Sequence, residues 1–464
     1  MTAAARSEAL VFFGATGDLA YKQIFPALQA MIRRDLFDLP IVAVAKAGWD
    51  LDKLRARVRD SLTEHGGVDE AAFARLCAKL SYIDGDYHDA ATFTAVRAAL
   101  GKLERPLHYL AIPPSLFATV AEGLAKSDCA QNARVVVEKP FGHDLASAQQ
   151  LNATLHRFFA DEAIFRIDHY LGKEPVQNLI YFRFANPLIE GSFNNNHVES
   201  VQITMAESFG VQGRGRFYEE TGAVRDVLQN HLLKIVACLT MDAPTDRGHE
   251  PTRDQRAAAL VNVRTLGPAD VVRGQFRGYH DEPGVAADSR VETFAAVRLS
   301  IDSARWTGVP FLLRTGKRLP VTTTEVMVRF KRPAHPVLDD TDAGAGNHIR
   351  FRLSPEIVIA FGTRAKRPGE AMVGTPIELL AVEQAAEQMA PYERLLGDAV
   401  AGDATLFSRQ DAVEAQWRIV DPILGNVTPV HPYEPNTWGP SEADRLIPGG
   451  AWHNPTTAAA TAAA

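Results

Sequence analysis

A strand-like run that ends in a glycine turn near the N-terminus constrains the fold more than any other feature of the chain. The apolar run at 9–15 (ALVFFGA) leads into Gly14 and Gly17, and an amphipathic stretch follows at 24–31. This order is typical of the first βα unit of a dinucleotide-binding fold, where a helix N-terminus faces the phosphates. The spacing is G-x-x-G-x-x-A rather than G-x-G-x-x-G, so a purely structural glycine turn is the alternative interpretation.

Periodicity divides the rest of the chain into two regions. Continuous apolar runs at 41–45, 107–113 and 133–140 are separated by amphipathic stretches, which predicts a parallel sheet covered on both faces. After about residue 175, alternating segments follow one another with few helices between them, which predicts a largely antiparallel sheet. These alternating segments are 198–208, 292–302, 325–332 and 356–362.

The predicted fold class is therefore α/β plus α+β. We expect a Rossmann-like dinucleotide-binding domain over 1–172, with its ligand at the carboxyl ends of the strands. A larger domain over 173–454 should carry a mostly antiparallel sheet with helices on one face. The Ala- and Thr-rich tail over 455–464 has little to bury and is expected to be disordered.

Charge and cysteine content exclude several classes of protein. The 464 residues include 49 Lys and Arg against 56 Asp and Glu, a net charge of −7 that argues against a nucleic-acid partner. Three widely spaced cysteines predict neither a disulfide framework nor a metal site, which is typical of a reduced, cytoplasmic protein. The longest uncharged internal stretch, 106–121, contains three prolines, so we expect no membrane span.

Two lysines follow predicted strands of the first domain. NAD sites usually carry an acid at the end of the second strand, but here that run ends in Lys46 and no acid occurs before Asp50. A cation there suits the 2′-phosphate of NADP, and a solvated surface lysine is the alternative interpretation. Use of NAD as a second cofactor stays an alternative as well. Lys139, in EKPFG at the end of the fourth run, is placed where cofactor and substrate would meet; a surface lysine beside a turn is the alternative.

The densest group of chemically active side chains is FRIDHYLGKEP (165–175). Asp168, His169, Tyr170 and Lys173 place an acid and three hydrogen-bond donors within six residues. Pro175 is best tolerated in a first helical turn, so the cluster should lie at a helix start, where it would make a phosphate cradle. The alternative interpretation makes Tyr170 and Leu171 core residues and leaves the other members solvated.

A second candidate region is the predicted helix at 221–239. His231 lies beside its apolar stripe, where a histidine is often only a satisfied core residue. Asp226 is five residues earlier, about 140° around an α-helix, so the two would line one groove without pairing easily. If His231 acts as a base, its orienting carboxylate must come from elsewhere, and Asp168 is the candidate.

Five motifs in one order carry a family resemblance. GATGDLA, EKPFG, RIDHYLGKE, GRGRFYEETGAVRDVLQNHLL (213–233) and WTGVPFLLRTGKRL (306–319) resemble the glucose-6-phosphate dehydrogenases. The resemblance implies oxidation of glucose 6-phosphate at C1 to 6-phospho-D-glucono-1,5-lactone with hydride transfer to NADP+, the first oxidative step of the pentose phosphate pathway. It also implies a homodimer or homotetramer formed through the second domain, and no metal.

The same resemblance assigns roles to individual residues. His231 would be the general base and Asp168 would hold its imidazole. The implied substrate-binding residues are His169, Tyr170, Lys173, Glu207, Asp226, Lys317 and Lys139. The implied cofactor-binding residues are Gly14, Ala15, Thr16, Gly17, Asp18, Leu19, Lys46 and Lys139.

The chain departs from the family pattern at three places. Thr16, Tyr21 and Gln23 stand where the family commonly has a serine and further lysines, which leaves only Lys22 in that stretch. Thr322 stands where the family often has a second cation, so we expect phosphate contacts on that side either to be fewer or to come from Arg318. Lys46 replaces a common arginine and lacks its planar fork, which weakens the expectation of strict NADP preference.

Two rival functions remain at this stage. A sugar oxidoreductase of the glucose–fructose oxidoreductase type would share the two-domain plan and the EKP lysine but lacks RIDHYLGKE. A non-catalytic NADP-binding regulator should have lost His231, Asp168 or Lys173, and all three are present.

Overall fold

A computed structural model describes residues 6–168, 170–246, 248–334, 346–369, 372–382, 389–447 and 449–456. The chain forms two compact units, each assembled from separate stretches of sequence. Unit 1 comprises Met1–Glu174, Pro244–Asp254 and Gln388–Glu414, and unit 2 comprises Pro175–Ala243, Gln255–Glu387 and Ala415–Ala464. The boundaries expected from the sequence stay a prediction.

Unit 1 contains a parallel six-stranded sheet in the order β3-β2-β1-β4-β5-β6. β1 and β2 are buried along their whole length, which explains their uninterrupted apolar sequences. The strand order reverses between β1 and β4, and in such sheets the ligand binds at the carboxyl ends beside this point. The predicted Rossmann-like α/β architecture is confirmed. The strands are β1 Ala9–Phe13, β2 Ile41–Ala45, β3 Leu80–Asp84, β4 Pro106–Leu110, β5 Arg134–Val137 and β6 Ile164–Arg166.

Helices cover this sheet, and several begin with an aspartate whose side chain accepts a backbone N–H of the first turn. Asp50, Asp69 and Asp89 cap α2, α3 and α4 in this way. The helices of the first 174 residues are π1 Ala20–Ile24, α1 Phe25–Arg33, α2 Leu51–Glu64, α3 Glu70–Lys79, α4 Ala90–Leu100, α5 Phe117–Lys126 and α6 Leu145–His156, with 3₁₀ turns at Pro114–Leu116 and Asp161–Ala163.

A late segment of the chain completes the core of unit 1. Tyr392, Leu395 and Phe407 are buried in the same apolar cluster as Leu10 and Leu28. Some of the later helices contain a boundary between the two units within their own length. The later helices are α7 Glu174–Ala185, α8 Pro187–Ser192, α9 Gly215–Ala223, π2 Val224–Leu232, α10 Leu233–Thr240, α11 His249–Val261, α12 Pro391–Ala401 and α13 Gln410–Val420.

Unit 2 is built on a mixed nine-stranded sheet in the order β14-β13-β12-β11-β7-β10-β9-β8-β15. β7 pairs in parallel with β10, and β8 with β15, whereas the other neighbours are antiparallel. The predicted mostly antiparallel α+β region is confirmed. The strands are β7 Val198–Ala206, β8 Val271–Phe276, β9 Phe294–Leu299, β10 Phe311–Gly316, β11 Thr323–Phe330, β12 His348–Ser354, β13 Val358–Lys366, β14 Gly374–Val382 and β15 Val430–Tyr433, with 3₁₀ turns at Pro268–Asp270, Tyr279–Asp281, Asp421–Ile423 and Ser441–Leu446.

The first residues of the predicted disordered tail pack against unit 2. Pro455 is buried, and the Arg352 guanidinium donates to the Thr456 carbonyl at 2.8 Å. Residues 457–464 of that tail lie outside the described residues. Throughout the described part of the chain, no helix combines the length and apolar character that crossing a bilayer requires.

Candidate active site

The turn after β1 requires glycine at its first position. Gly14 has φ +81°, and a Cβ built there would lie 2.1 Å from the carbonyl oxygen of Ala111. Its N–H donates to the Val44 carbonyl at 2.9 Å, which fixes the turn to the end of β2. Gly17 then donates its N–H to the Gly14 carbonyl at 3.0 Å and closes the turn.

The helix that follows opens as a π-helical turn. Tyr21 donates to the Gly17 carbonyl at 3.1 Å, and Phe25 donates to that of Ala20, five residues earlier. The N–H groups at the start of such a helix have no partner within the helix and carry its positive dipole end. Of the predicted residues, Ala15 and Thr16 lie in the turn after β1, and Asp18 and Leu19 begin the helix. A helix start of this kind is where dinucleotide-binding folds hold a pyrophosphate.

Lys46 does not stand alone at the end of β2. Its Nζ lies 2.6 Å from Oδ2 of Asp86, just beyond the end of β3. The hydrogen bond from Lys46 lowers the pKa of the Asp86 carboxyl, and the same bond raises the pKa of Lys46. Sequence reasoning searched only the end of β2 for an acid and therefore missed one delivered by the neighbouring strand.

Lys139 follows a buried acid at the carboxyl end of β5. The hydroxyl of Tyr109 donates to the carboxyl of Glu138, and burial raises the pKa of that carboxyl. The attraction of Lys139 opposes that rise. β5 is parallel to β4 and β1, so Lys139 lies at the same edge of the sheet as Gly14, as the sequence predicts.

Asp168 is fully buried within unit 1 and held by hydrogen bonds. Its Oδ1 accepts the N–H of Tyr170 at 3.1 Å, and its Oδ2 accepts the hydroxyl of Ser408 at 3.0 Å. Ser408 also donates its N–H to the Arg166 carbonyl at 3.1 Å. Sequence reasoning missed Ser408, which reaches this carboxylate from 240 residues further along the chain.

The predicted phosphate cradle begins beside Asp168. Lys173 lies with its Nζ 5.1 Å from the centroid of the Tyr170 ring, and burial lowers the pKa of its ammonium group. α7 begins at Glu174 with Pro175 as its second residue, so the predicted helix start is confirmed. Tyr170 itself is buried. His169 lies outside the described residues.

Unit 2 brings two further candidates into direct contact. β7 and β10 run in parallel with Ala206 opposite Gly316, so both strands end at the same edge. Glu207 and Lys317 are the next residues, and Oε2 of Glu207 lies 2.5 Å from Nζ of Lys317. Both side chains are mostly buried, which makes this ion pair a formed feature of the site rather than a surface contact.

A glycine break precedes the helix that carries His231. Gly222 has φ +60°, and a Cβ there would lie 2.5 Å from Oε1 of Glu292. The same oxygen accepts the N–H of Val224 at 3.2 Å, while Arg273 pairs with the other oxygen at 3.0 Å. The break and the buried Glu292 set where the next helix begins.

That helix is not the regular α-helix expected over 221–239. Val224–Leu232 forms π2, in which Leu233 donates to the Leu228 carbonyl five residues earlier. The expected 140° between Asp226 and His231 is therefore wrong, because π-helical bonding brings residues five apart toward one face. π2 lies against β7 and β10, the strands that end at Glu207 and Lys317.

Tyr218 is a central residue of this region that sequence reasoning missed. Its ring centroid lies 5.4 Å from Nζ of Lys317, and the residue is almost fully buried. Burial raises the pKa of its hydroxyl well above the usual value, with further contributions from the negative charges of Asp226 and Glu207. Unit 2 thus gathers two carboxylates and a lysine around one buried phenol.

The replacement of the expected second cation by Thr322 is accommodated locally. The hydroxyl of Thr322 accepts the N–H of Ser208 at 3.0 Å and lies 2.8 Å from the Ser208 hydroxyl. Arg318, the alternative source of charge, has φ +54° and stacks its guanidinium 6.0 Å from the Phe276 ring centroid.

A Rossmann-order sheet with a glycine turn, joined in one chain to a unit that clusters two acids and a lysine around a buried tyrosine, defines a dinucleotide-dependent oxidoreductase. Comparison of the sequence with known protein families identifies which family of oxidoreductases the chain belongs to. Residues 11–178 match the NAD binding domain of glucose-6-phosphate dehydrogenase, and residues 180–453 match its C-terminal domain. The chain belongs to the glucose-6-phosphate dehydrogenase family.

Individual relatives agree over nearly the whole chain. Glucose-6-phosphate 1-dehydrogenase 1 of Mycobacterium tuberculosis (strain CDC 1551) is 41% identical over 97% of both chains. The crystal structure of the enzyme from Mycobacterium avium has a TM-score of 0.91, with 42% identity over 97% of this chain and 99% of that one. A glucose-6-phosphate dehydrogenase solved with its substrate glucose 6-phosphate has a TM-score of 0.90, with 32% identity over 98% of this chain and 100% of that one.

The rival regulator shares only the fold. The transcriptional regulator Gal80p of Kluyveromyces lactis has a TM-score of 0.52 at 7% identity over 90% of this chain and 88% of that one. At this identity the likeness concerns the architecture alone.

Proposed function

We propose that the chain oxidises D-glucose 6-phosphate at C1 to 6-phospho-D-glucono-1,5-lactone with NADP+ as the acceptor. The observation that carries the proposal is the close likeness to the enzyme solved with glucose 6-phosphate. The residues of both units support it, because the phosphate-binding turn, the buried Asp168 and the Glu207–Lys317 pair have the chemistry that this reaction needs. The reaction is the first oxidative step of the pentose phosphate pathway.

In this proposal His231 is the general base and Asp168 is its orienting carboxylate. His231 takes the proton of the C1 hydroxyl while the C1–H bond breaks, so C1 becomes the lactone carbonyl carbon. When bound, NADP+ supplies the acceptor for the hydride that leaves C1. Ser408 and the Tyr170 N–H hold the Asp168 carboxylate in one orientation. A carboxylate held in this way fixes the tautomer of an imidazole that donates to it.

The proposed substrate contacts divide between phosphate and sugar. Lys173 and Tyr170, with His169, bind the 6-phosphate next to the start of α7, where the positive end of the helix dipole favours an anion. Glu207, Asp226 and Lys317 bind sugar hydroxyls or the phosphate, and Lys139 bridges sugar and nicotinamide. The depressed pKa of Lys173 reflects a desolvated ammonium, and a phosphate partner would stabilise its charged form.

The proposed cofactor site is the turn after β1 together with Lys46. Gly14, Ala15, Thr16, Gly17, Asp18 and Leu19 supply backbone for the pyrophosphate, and the first position must be glycine because a Cβ there would clash with the Ala111 carbonyl. Lys46 faces the 2′-phosphate, and NAD+ is the alternative acceptor.

We also propose a cytoplasmic homo-oligomer, either a dimer or a tetramer. β14 ends the nine-stranded sheet and leaves Leu379 61% and Val382 50% exposed, an apolar strand that a second copy could cover. The potato relative named as a cytoplasmic isoform is 36% identical over 94% of this chain and 90% of its own. Sedimentation velocity would distinguish monomer, dimer and tetramer.

A steady-state comparison tests reaction, phosphate requirement and base together. Wild type should turn over glucose 6-phosphate with NADP+ much faster than free glucose. His231→Asn should reduce kcat by roughly 10²- to 10⁴-fold, the usual contribution of a positioned general base, while sugar phosphate still binds. Near-normal turnover by this variant would refute the assignment of His231, and equal rates with free glucose would refute the phosphate site.

A further inference from the structure

We propose that Asp86 is a specificity-determining residue of the dinucleotide site, which lowers the preference for NADP+ over NAD+ by pairing with Lys46. The inference rests on the proposed cofactor site. It adds a residue that the motifs do not mark, since Asp86 follows β3 and not the strand at which cofactor choice is usually read.

Sheet geometry explains why this acid reaches the end of β2. β2 and β3 are parallel neighbours with Ala45 opposite Asp84, so both strands end at the same edge. Lys46 is one residue beyond that register pair and Asp86 is two residues beyond it, which places Nζ and Oδ2 2.6 Å apart.

The loop that carries Asp86 is fixed rather than free to swing away. Its Oδ1 accepts the N–H of His88 at 2.9 Å, and its carbonyl accepts the hydroxyl of Thr92 at 2.7 Å. Next to it, Oδ1 of Asp84 accepts the N–H groups of Ala47 and Gly48, each at 2.9 Å. The loop after β3 and the loop after β2 are therefore tied together, and the carboxylate stays beside Lys46.

This arrangement has opposite consequences for the two cofactors. In NAD sites a carboxylate at this edge of the sheet accepts the ribose 2′-hydroxyl, and Asp86 supplies such a group from the neighbouring strand. A 2′-phosphate instead carries a charge of about −1.5 to −2 at pH 7 and would approach a lysine whose charge is already compensated. At a separation of roughly 6 Å in water, the repulsion corresponds to a penalty of about tenfold in affinity.

The test measures binding of two fragments that differ only by the 2′-phosphate. Calorimetry with 2′,5′-ADP and with 5′-AMP gives an affinity ratio for wild type and for Asp86→Asn, a change that keeps the acceptor for His88. We expect Asp86→Asn to bind 2′,5′-ADP about 5- to 10-fold more tightly and 5′-AMP no more tightly than wild type. The gain should shrink in 1 M salt, where the Debye length falls to about 3 Å.

Two controls separate this effect from general changes in charge or folding. Asp86→Glu keeps the charge and should keep the wild-type ratio. Asp38→Asn removes another exposed, ion-paired aspartate, which lies before β2 at the opposite end of the strand, and should change neither affinity. Melting temperatures of all variants should agree within a few degrees.

Steady-state kinetics with glucose 6-phosphate distinguish failure of this inference from failure of the proposed function. Asp86→Asn should lower KM for NADP+ relative to that for NAD+ by the same factor. An unchanged ratio in a variant that still turns over glucose 6-phosphate would overturn the role of Asp86 alone. A wild-type protein that neither binds the fragments nor oxidises glucose 6-phosphate would overturn the proposed function itself.

Discussion

Replacing Gly14 with alanine should damage both the stability of unit 1 and its cofactor binding. A left-handed backbone costs an L-residue about 1–2 kcal/mol, and Gly14 has φ +81°. The new Cβ would also lie 2.1 Å from the Ala111 carbonyl oxygen, so β1 and the residues after β4 must separate locally. Such overpacking costs about 1–3 kcal/mol, which brings the expected loss to about 2–5 kcal/mol.

Gly67→Ala provides the matched control for Gly14→Ala. Gly67 lies in the same unit with φ +90°, but a Cβ there meets no atom within 4 Å. Gly67→Ala should therefore lose only the backbone contribution of about 1–2 kcal/mol from the free energy of unfolding. The lower entropy of its unfolded chain reduces this loss.

Urea unfolding followed by fluorescence, combined with KM values for NADP+ and glucose 6-phosphate, measures the two effects. We expect Gly14→Ala to unfold at clearly lower urea than Gly67→Ala and to raise KM for NADP+ much more than KM for glucose 6-phosphate. If the two variants unfold at the same urea concentration and bind NADP+ equally, the close approach to Ala111 is not the reason that glycine is needed.

Three further predictions concern polar side chains of unit 1. Lys173→Ala should raise KM for glucose 6-phosphate far more than that for NADP+, and equal increases would contradict a phosphate role. Ser408→Ala removes a charge-assisted hydrogen bond worth about 1.5–3 kcal/mol, so kcat should fall roughly tenfold or more with little change in KM, and Ser408→Thr should restore it. Burial lowers the pKa of His108 from 6.5 to about 4 in the folded protein. As the pH falls below about 6.5, the His108 imidazole therefore binds a proton in the unfolded chain before it does so in the folded one, and the free energy of unfolding decreases. Between pH 7 and pH 5 this effect lowers the free energy of unfolding by about 2 kcal/mol. Urea unfolding at the two pH values should show that His108→Gln loses less stability than wild type, and an equal loss in both proteins would contradict the prediction.

Features that depend on neighbouring residues in the sequence were predictable. The turn at Gly14 and the helix start at Glu174 follow from strand, glycine and proline signals within a few residues. The two sheet types were predictable from the strand sequences as well. A strand buried on both faces has a continuous apolar sequence, whereas a strand buried on one face alternates apolar and polar residues.

Features that depend on distant residues were not predictable in this way. Ser408 meets Asp168 across 240 residues, and Asp86 meets Lys46 only because β3 happens to neighbour β2. Tyr218 is recognisable only once burial and surrounding charge are known. The π-helical segment that contains His231 was not predicted, because helical periodicity was judged with the 3.6 residues per turn of an α-helix.

The split composition of unit 1 has a consequence for how the protein is made. Its apolar core includes Tyr392, Leu395 and Phe407, roughly 230 residues beyond the first stretch that ends at Glu174. At about 5–20 residues per second, a ribosome needs roughly 10–50 s to supply them after the six parallel strands have emerged. During that interval the nucleotide-binding half exposes an unfilled apolar surface, so a nascent chain should need chaperone protection longest there, and a truncated 1–174 fragment should aggregate.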